Sequence, residues 1–302
     1  MALKFPDRIW AVAGVVAVGG VGMPVLAQVP PVPTAVVSPV AASPQVEAVF
    51  AAAMARAEAG DLAGAIQGFT WVLDQAPTLL EARFNRGLAR DLLGDKPGAI
   101  ADYTQVLRAD PQHVEAYVNR GAAYSDLKRY RQAVADFMKA LELNPNNDFA
   151  YNNLGNALLA LGNRQAAIAA YTQAITVEPT NTTAYFNRAN VYFMEGNMTQ
   201  AIADFDQAID QNPFYVQAYN NRGLAKEKQG NLAGALADWE RSLQLDPENP
   251  YAYTNRGLMH QRNGDTARAI ADLQQAAQLF RQRQDTPRYQ QTLDVLGALQ
   301  AP

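Results

Sequence analysis

The chain has 302 residues, with 25 Lys and Arg against 29 Asp and Glu, a formal charge of −4, and no cysteine. At 49% hydrophobic and 18% charged residues, it can bury a core and is not a disordered polymer. The lack of cysteine excludes disulfides, thiolate zinc sites and thiol nucleophiles, and two histidines provide too little for a histidine-based centre. The acidic balance argues against nucleic acid as a partner, because phosphate binding needs a clustered basic surface. Composition therefore predicts a non-enzymatic protein without a cofactor or metal.

Residues 1–27 are typical of a secretory signal peptide. Lys4 and Arg8 give a weakly basic start, an uncharged apolar run follows to Leu26, and cleavage is predicted after Ala27. The alternative is an uncleaved anchor, since the run approaches the ~18 apolar residues that can span a bilayer. Cleavage is favoured, which predicts no stable membrane span afterwards. The expected location is the periplasm or the exterior, or a thylakoid lumen if the source is photosynthetic.

Residues 28–45 are expected to be an extended linker. The segment has no charged residue and five prolines, which oppose both helix and strand. A docking site for a proline-binding module is the alternative to a simple tether.

Residues 46–283 contain seven consecutive repeats of 34 residues, without an insertion. The repeats start at Val46, Leu80, Val114, Asp148, Thr182, Val216 and Pro250, and positions within each are numbered from these residues. Position 20 is always alanine, position 8 is always small, position 24 is aromatic in six repeats, and position 32 is proline in six. Such a period is the signature of a stacked repeat architecture.

Each repeat is predicted to be a pair of antiparallel helices. Small residues at positions 8 and 20 let the helices approach closely, and the aromatic ring at position 24 fills the space beside them. Glycine at position 15 ends the first helix, and Asp or Asn at position 16 caps the second. Repeat 3 departs from this pattern, with Lys128 and Arg129 in place of Gly and Asp. One pair cannot bury its apolar face alone, so neighbouring repeats must stack.

This pattern resembles the tetratricopeptide repeat family, in both its period and its small, aromatic and proline positions. The resemblance implies an all-α, right-handed superhelical solenoid in which the first helices line a concave groove with positions 2, 5, 6, 9, 12 and 13. It also implies a protein or peptide as the partner, whose identity the repeats do not reveal. Residues 284–302, with Pro287 near the start and three leucines, are predicted to form a C-terminal capping helix.

Arginine at position 7 and aspartate at position 23 occur together in repeats 2, 3, 5, 6 and 7. Repeat 4 loses both at once, with Leu154 and Ala170 instead, and repeat 1 lacks both. The two positions lie at similar heights on antiparallel helices, so we expect an ion pair in each of the five repeats. The alternative is an anion-binding row of arginines, which is disfavoured because a paired guanidinium is already occupied.

Position 6 is asparagine in every repeat from 2 to 7: Asn85, Asn119, Asn153, Asn187, Asn221 and Asn255. A row of carboxamides on the concave face can donate to and accept from the backbone of an extended peptide. The alternative is that each asparagine satisfies a neighbouring backbone group of its own protein. Both interpretations stay open at this point.

The predicted groove also contains aromatic residues, among them Phe84, Phe149, Phe186, Phe193 and Tyr251. Each ring could contact a ligand or could simply pack between helices. The family's carboxylate-clamp members hold a terminal carboxylate with lysines at positions 2 and 5, and no repeat here has a cation at either position. A neutral or basic extended peptide therefore suits the groove better.

These features predict a peptide-binding scaffold or assembly factor that functions as a monomer. A structural or self-associating element that uses the convex face or the ends of the array is the alternative. An enzymatic role has no support in the sequence.

Overall fold

The computed structural model describes residues 43–300, which form fifteen α-helices and no strand. These residues divide into two compact units, residues 43–179 and residues 180–300. The N-terminal unit contains four helix pairs: α1 Pro44–Glu58, α2 Leu62–Gln75, α3 Leu80–Leu93, α4 Lys96–Ala109, α5 Val114–Asp126, α6 Tyr130–Leu143, α7 Asp148–Ala160 and α8 Arg164–Val177.

The C-terminal unit contains three helix pairs and a final helix: α9 Thr182–Met194, α10 Met198–Gln211, α11 Val216–Lys228, α12 Leu232–Leu245, α13 Pro250–Arg262, α14 Thr266–Gln282 and α15 Thr286–Gln300. From repeat 2 onward, each first helix begins at the residue where the sequence places the start of a repeat. The all-α repeat fold is thereby confirmed within the described residues.

Helix α1 begins two residues before the expected start of repeat 1, inside the segment predicted as a linker. Ser43 accepts a hydrogen bond from the backbone N–H of Val46, and Pro44 occupies the first helical turn. Proline is tolerated there because its missing N–H would have no partner within the helix. Residues 44 and 45, which were predicted to belong to the extended linker, are therefore helical. The predicted signal peptide and the remaining linker residues, 28–42, lie outside the described residues.

In repeats 1 to 6, the aromatic ring at position 24 packs against the small residue at position 8, and Leu273 takes this place in repeat 7. Phe69, Tyr103, Phe137, Tyr171, Phe205 and Trp239 all have 0% exposure. A Cβ atom added to Gly155 would lie 2.4 Å from the ring of Tyr171, and one added to Gly223 would lie 2.5 Å from Trp239. Glycine is required at these positions because the ring occupies the space of a side chain.

Within each unit, the first helices of consecutive repeats contact one another: α1, α3, α5 and α7 in one, and α9, α11 and α13 in the other. Consecutive second helices make no comparable contact among the described residues. Each unit is therefore tighter on the side of its first helices, and we call this side the inner face of the unit.

The turn inside repeat 3 is the exception to the capping pattern. In the other six repeats, a glycine with φ between 78° and 93° separates the helices, whereas Lys128 adopts φ 59° in repeat 3. The Asp or Asn that follows the glycine accepts a backbone hydrogen bond in the other repeats, while Arg129 offers no side-chain cap to α6. Repeat 3 therefore lacks two local stabilising features.

None of the helices between residues 43 and 300 combines the length and hydropathy that a bilayer-spanning helix needs.

Replacing Gly155 with Ala is expected to destabilise the protein by about 1–3 kcal/mol, because the new methyl group overlaps the buried ring of Tyr171. Urea unfolding followed by circular dichroism measures this change. Gly297→Ala is the matched control, since a Cβ there meets nothing within 4 Å on α15. Equal stability of the two variants would contradict the packing assigned to Gly155.

Candidate binding surface

The predicted ion pairs between positions 7 and 23 are present in all five repeats. The guanidinium Nε and Nη2 atoms donate to the two carboxylate oxygens over 2.6–3.0 Å. The pairs are Arg86–Asp102, Arg120–Asp136, Arg188–Asp204, Arg222–Asp238 and Arg256–Asp272. The carboxylates are 3–9% exposed, so these are bidentate and largely desolvated pairs. Both helices of a repeat are held in register by this contact, as the sequence predicted.

The same arginines also bind the preceding repeat, through a position that the sequence analysis missed. Arg86 Nη1 donates to Thr70 Oγ1 over 3.2 Å, and Arg120 Nη1 donates to Thr104 Oγ1 over 3.1 Å. Arg222 Nη1 donates to an oxygen of Asp206 over 2.6 Å. All three acceptors occupy position 25 of the preceding repeat. One guanidinium thus connects three helices of two neighbouring repeats.

Aromatic and cationic residues one turn away complete this cluster. The guanidinium carbon lies 5.3–5.8 Å from the tyrosine ring at position 4 in repeats 3, 5, 6 and 7, within the range of a cation–π contact. In repeats 2 and 6, a second cation at position 11 reaches the same aspartate: Arg90 is 2.7 Å from Asp102, and Lys226 is 2.9 Å from Asp238. Because each of the five guanidiniums is already paired with an aspartate, the arginines do not form a free anion-binding row.

Repeat 4 replaces the whole cluster with apolar side chains. Leu154 and Ala170 stand at positions 7 and 23, and Met138 stands at position 25 of the preceding repeat. Loss of all three polar groups leaves no buried charge without a partner, which a single loss would do. Met138 is 59% exposed and Leu154 is partly exposed, so the replacement creates an apolar area on the N-terminal unit.

Arg120→Leu and Asp136→Ala are each expected to cost about 3 kcal/mol, because each leaves a buried charge unpaired. The double variant reproduces the residues that repeat 4 carries, so it should cost less than the sum by at least about 1.5 kcal/mol. Denaturant unfolding of the four proteins gives this coupling energy. The exposed pair Lys139 and Glu142 is the control, with a coupling below about 0.5 kcal/mol. Equal coupling in the two cycles would contradict the role assigned to burial.

The asparagine row lies on the inner face and is mostly buried. Asn85, Asn119, Asn153, Asn187 and Asn221 are 8%, 6%, 2%, 0% and 2% exposed, and Asn255 is partly exposed. Asn85 Nδ2 donates to the backbone carbonyl of Glu81 one turn earlier, over 2.7 Å. This bond is of the kind that the sequence analysis kept as the alternative to ligand binding.

In the C-terminal unit, the asparagines form a chain of carboxamides across three repeats. Asn255 Nδ2 donates to Asn220 Oδ1 over 3.1 Å, and Asn220 Nδ2 donates to Asn221 Oδ1 over 3.2 Å. Asn221 Nδ2 then donates to Asn190 Oδ1 over 2.8 Å. The chain links α9, α11 and α13, so the carboxamides set the spacing of the first helices. Positions 5 and 9 supply its additional members, Asn220 and Asn190.

Three of the five predicted groove rings are buried between helices. Phe84 is 7% exposed and stacks on His113, with ring centroids 4.8 Å apart. Phe186 is 1% exposed and lies 4.8 Å from the ring of Tyr215. Phe193 is 8% exposed, and the ammonium of Lys228 lies 5.7 Å from its centroid. These three rings pack within the protein, which is the alternative to ligand contact that the sequence left open for each of them.

Phe149 and Tyr251 are the two groove rings that keep partial exposure. Tyr251 contacts the ring of Phe280 edge-on at 5.5 Å, and the guanidinium of Arg288 lies 5.4 Å from its centroid. Gln217 is exposed, and Thr254 and Asn255 are partly exposed beside Tyr251. The accessible polar part of the inner face of the C-terminal unit is therefore on α11 and α13.

The inner face of the N-terminal unit carries a polar cluster with two carboxylates. Lys96 Nζ lies 3.1 Å from Asp91 on α3 and 2.5 Å from Asp126 on α5, so one ammonium forms ion pairs with two carboxylates. Burial raises the pKa of Asp91, although Lys96 opposes this effect. The hydroxyl of the buried Tyr103 has no hydrogen-bond partner among the described residues. Burial and the nearby charge of Asp91 raise the pKa of Tyr103.

Tyr103→Phe is expected to leave stability unchanged or to raise it by up to about 1 kcal/mol, because a buried hydroxyl without a partner is removed. The matched control is Tyr171→Phe at the same position of repeat 4. The Tyr171 hydroxyl donates to Asn156 over 2.7 Å, so its loss should cost about 1 kcal/mol or more. Thermal and urea unfolding compare the two, and an equal loss in both would contradict the difference in bonding.

Within residues 43–300, no group of three metal-ligating side chains is close enough to hold a metal ion.

Comparison with known proteins gives one consistent result. Profiles described as tetratricopeptide repeat match residues 81–113, 114–147, 152–216 and 227–294. No curated protein matches the chain. The crystal structure of MamA is 31% identical and covers 54% of this chain and 95% of its own, with a TM-score of 0.51.

Two further solved structures share the fold at lower identity. A tetratricopeptide repeat protein from Parabacteroides merdae is 21% identical and covers 82% of this chain and 98% of its own, with a TM-score of 0.65. YrrB, described as having an unusual peptide-binding site, is 23% identical and covers 61% of this chain and 95% of its own, with a TM-score of 0.52.

Proposed function

The chain belongs to the tetratricopeptide repeat family of protein-interaction scaffolds, and from this premise we propose that it holds an extended partner segment against its inner face. It would function as a scaffold or assembly factor without catalysis. The export predicted from residues 1–27 would place this activity outside the cytoplasm. The peptide-binding site described for YrrB is a precedent for the fold, and it does not identify this protein's partner.

The observation that carries the proposal is the carboxamide chain of the C-terminal unit. Its members both donate and accept, and their mutual hydrogen bonds hold them in fixed positions. An extended backbone presents alternating donors and acceptors, and a carboxamide held in a fixed position at the accessible end of the chain can match them with little loss of side-chain entropy. Asn255, with Gln217 and Thr254 beside it, is the part of this row that a partner can reach.

The charge on the inner face of the N-terminal unit restricts the partner further. Asp91 and Asp126 outnumber Lys96, and Glu81 and Glu115 lie at position 2 on the same helices. A terminal carboxylate would meet these anions without the lysines of a carboxylate clamp. A neutral or basic segment is therefore the partner that this face favours.

Site-specific photocrosslinking in the native host tests the proposal. A benzoylphenylalanine at Gln217, on the inner helix α11, should capture a partner. Benzoylphenylalanine placed instead at Glu240, on α12 of the same repeat, should not capture a partner. Both positions are exposed, which makes them a matched pair.

Asn255→Ala should then weaken binding of the captured partner by about tenfold, because the carboxamide that a partner can reach is lost. Helicity should be unchanged, since Asn255 lies at the end of the carboxamide chain. Capture from Glu240 alone, or binding that Asn255→Ala leaves intact, would contradict the inner-face mode.

The exposed Met138 favours self-association as a second candidate function. Sedimentation velocity should then show a mass that rises with concentration and falls again in Met138→Glu, independently of Asn255. A constant monomer mass would exclude this candidate.

A further inference from the structure

The unusual turn of repeat 3 lies on an edge of the N-terminal unit with a distinct surface. We call the segments between the first and second helices of repeats 2–4, residues 92–97, 126–131 and 160–165, the turn edge. The parent helices α3, α5 and α7 lie side by side, so these turns follow one another along one side of the unit. The residues of the proposed site that a partner can reach, Gln217, Thr254 and Asn255, lie in the C-terminal unit, whereas Lys96 and Asp126 border both the inner face and the turn edge of the N-terminal unit.

The turn edge carries unpaired cations. Lys128, Arg129, Arg131 and Arg164 are exposed and form no ion pair within residues 43–300. The acids on the same edge already lie against cations: Asp126 binds Lys96, and an oxygen of Asp95 lies 3.8 Å from Arg90 Nε. The edge is therefore locally positive, although the chain as a whole has a charge of −4.

Two of these cations occupy positions at which other residues would make the turn and the start of α6 more stable. Lys128 adopts the left-handed backbone conformation that glycine adopts in the other six repeats. Arg129 stands where an Asp or Asn caps the second helix elsewhere, and it provides no cap. Neither residue is required by the packing of the repeat, because both side chains point into solvent. A selected role in binding accounts for two stability losses at adjacent residues.

Exposed leucines accompany the cations on the turn edge. Leu92, Leu93 and Leu161 are 46%, 57% and 44% exposed, and together with Met138 they are the large exposed apolar residues of this unit. Leucines at turn tips beside lysines and arginines are the composition that favours a lipid interface, where the apolar groups enter the acyl boundary and the cations meet headgroup phosphates. An acidic polypeptide would need the cations but not the leucines.

We propose that the turn edge of the N-terminal unit docks on an anionic lipid surface. Lys128, Arg129, Arg131 and Arg164 contact the headgroups, and Leu92, Leu93 and Leu161 insert at the boundary. The residues that a partner can reach in the C-terminal unit, Gln217, Thr254 and Asn255, take no part in this contact. The attraction is electrostatic and therefore decreases with salt.

Vesicle co-sedimentation of the full chain tests the proposal, with vesicles of pure phosphatidylcholine and vesicles that contain 30% phosphatidylglycerol. The measured quantity is the ratio of the two affinities, and it is compared between variants because the N-terminal run, with Lys4 and Arg8, contributes equally to all of them. For the native chain, we expect at least about tenfold tighter binding to the anionic vesicles. Raising the NaCl concentration should remove most of this preference.

The decisive variant is Lys128→Gly with Arg129→Asp, which restores the residues that the other repeats carry. It should abolish the preference for anionic vesicles while its unfolding temperature stays the same or rises, so loss of binding cannot come from misfolding. Arg108→Asp, an exposed change elsewhere on the same unit, matches the charge change of Arg129→Asp and should keep the preference. Leu93→Ser with Leu161→Ser should weaken binding to the anionic vesicles without changing its salt dependence.

Three outcomes would overturn the proposal. The native chain could show no preference for anionic vesicles, or the double variant could retain it, or Arg108→Asp could lose it equally. If soluble polyglutamate binds the native chain but not the double variant, and vesicles show no preference, the edge is a site for an acidic protein instead.

Discussion

In five of the seven repeats, the guanidinium at position 7 fixes the register of the helices that pack around it. Its Nε and Nη2 atoms bind the aspartate of its own second helix, and in repeats 2, 3 and 6 its Nη1 atom binds position 25 of the preceding repeat. A planar group with donors in fixed directions can hold three helices in register, whereas a lysine ammonium would leave their orientation open. The apolar core supplies most of the stabilisation, and the arginine selects one arrangement of it.

This arrangement leaves the inner face free for a different set of side chains. The arginine clusters join first helices to second helices. The residues between neighbouring first helices are therefore not needed to hold the repeats in register. Carboxamides occupy this space in the C-terminal unit, and two carboxylates around Lys96 occupy it in the N-terminal unit. The two units therefore differ in the chemistry of their inner faces, with carboxamides in the C-terminal unit and two carboxylates around one ammonium in the N-terminal unit.

The departures from the repeat pattern cluster in repeats 3 and 4. Repeat 4 exchanges a polar cluster for Leu154, Ala170 and Met138 together, so no buried charge is left without a partner while its surface becomes more apolar. Repeat 3 gives up a glycine and a helix cap for Lys128 and Arg129, and here stability is lost. The joint replacement in repeat 4 can be explained by packing alone. The replacement of Gly and Asp by Lys128 and Arg129 in repeat 3 brings no packing gain, which indicates a functional requirement for these residues.

The sequence by itself determined the fold, the starts of six of the seven repeats and the five arginine–aspartate pairs, because these follow from strict spacing along helices. It could not decide the state of the asparagines and rings on the first helices. Phe84, Phe186 and Phe193 are buried, and Asn221 is bound to Asn190, only because neighbouring repeats bring distant segments together. The role of position 25 was hidden for the same reason, since its partner lies in the next repeat. Periodicity describes one repeat, whereas burial and bonding at the inner face depend on how each repeat meets the next.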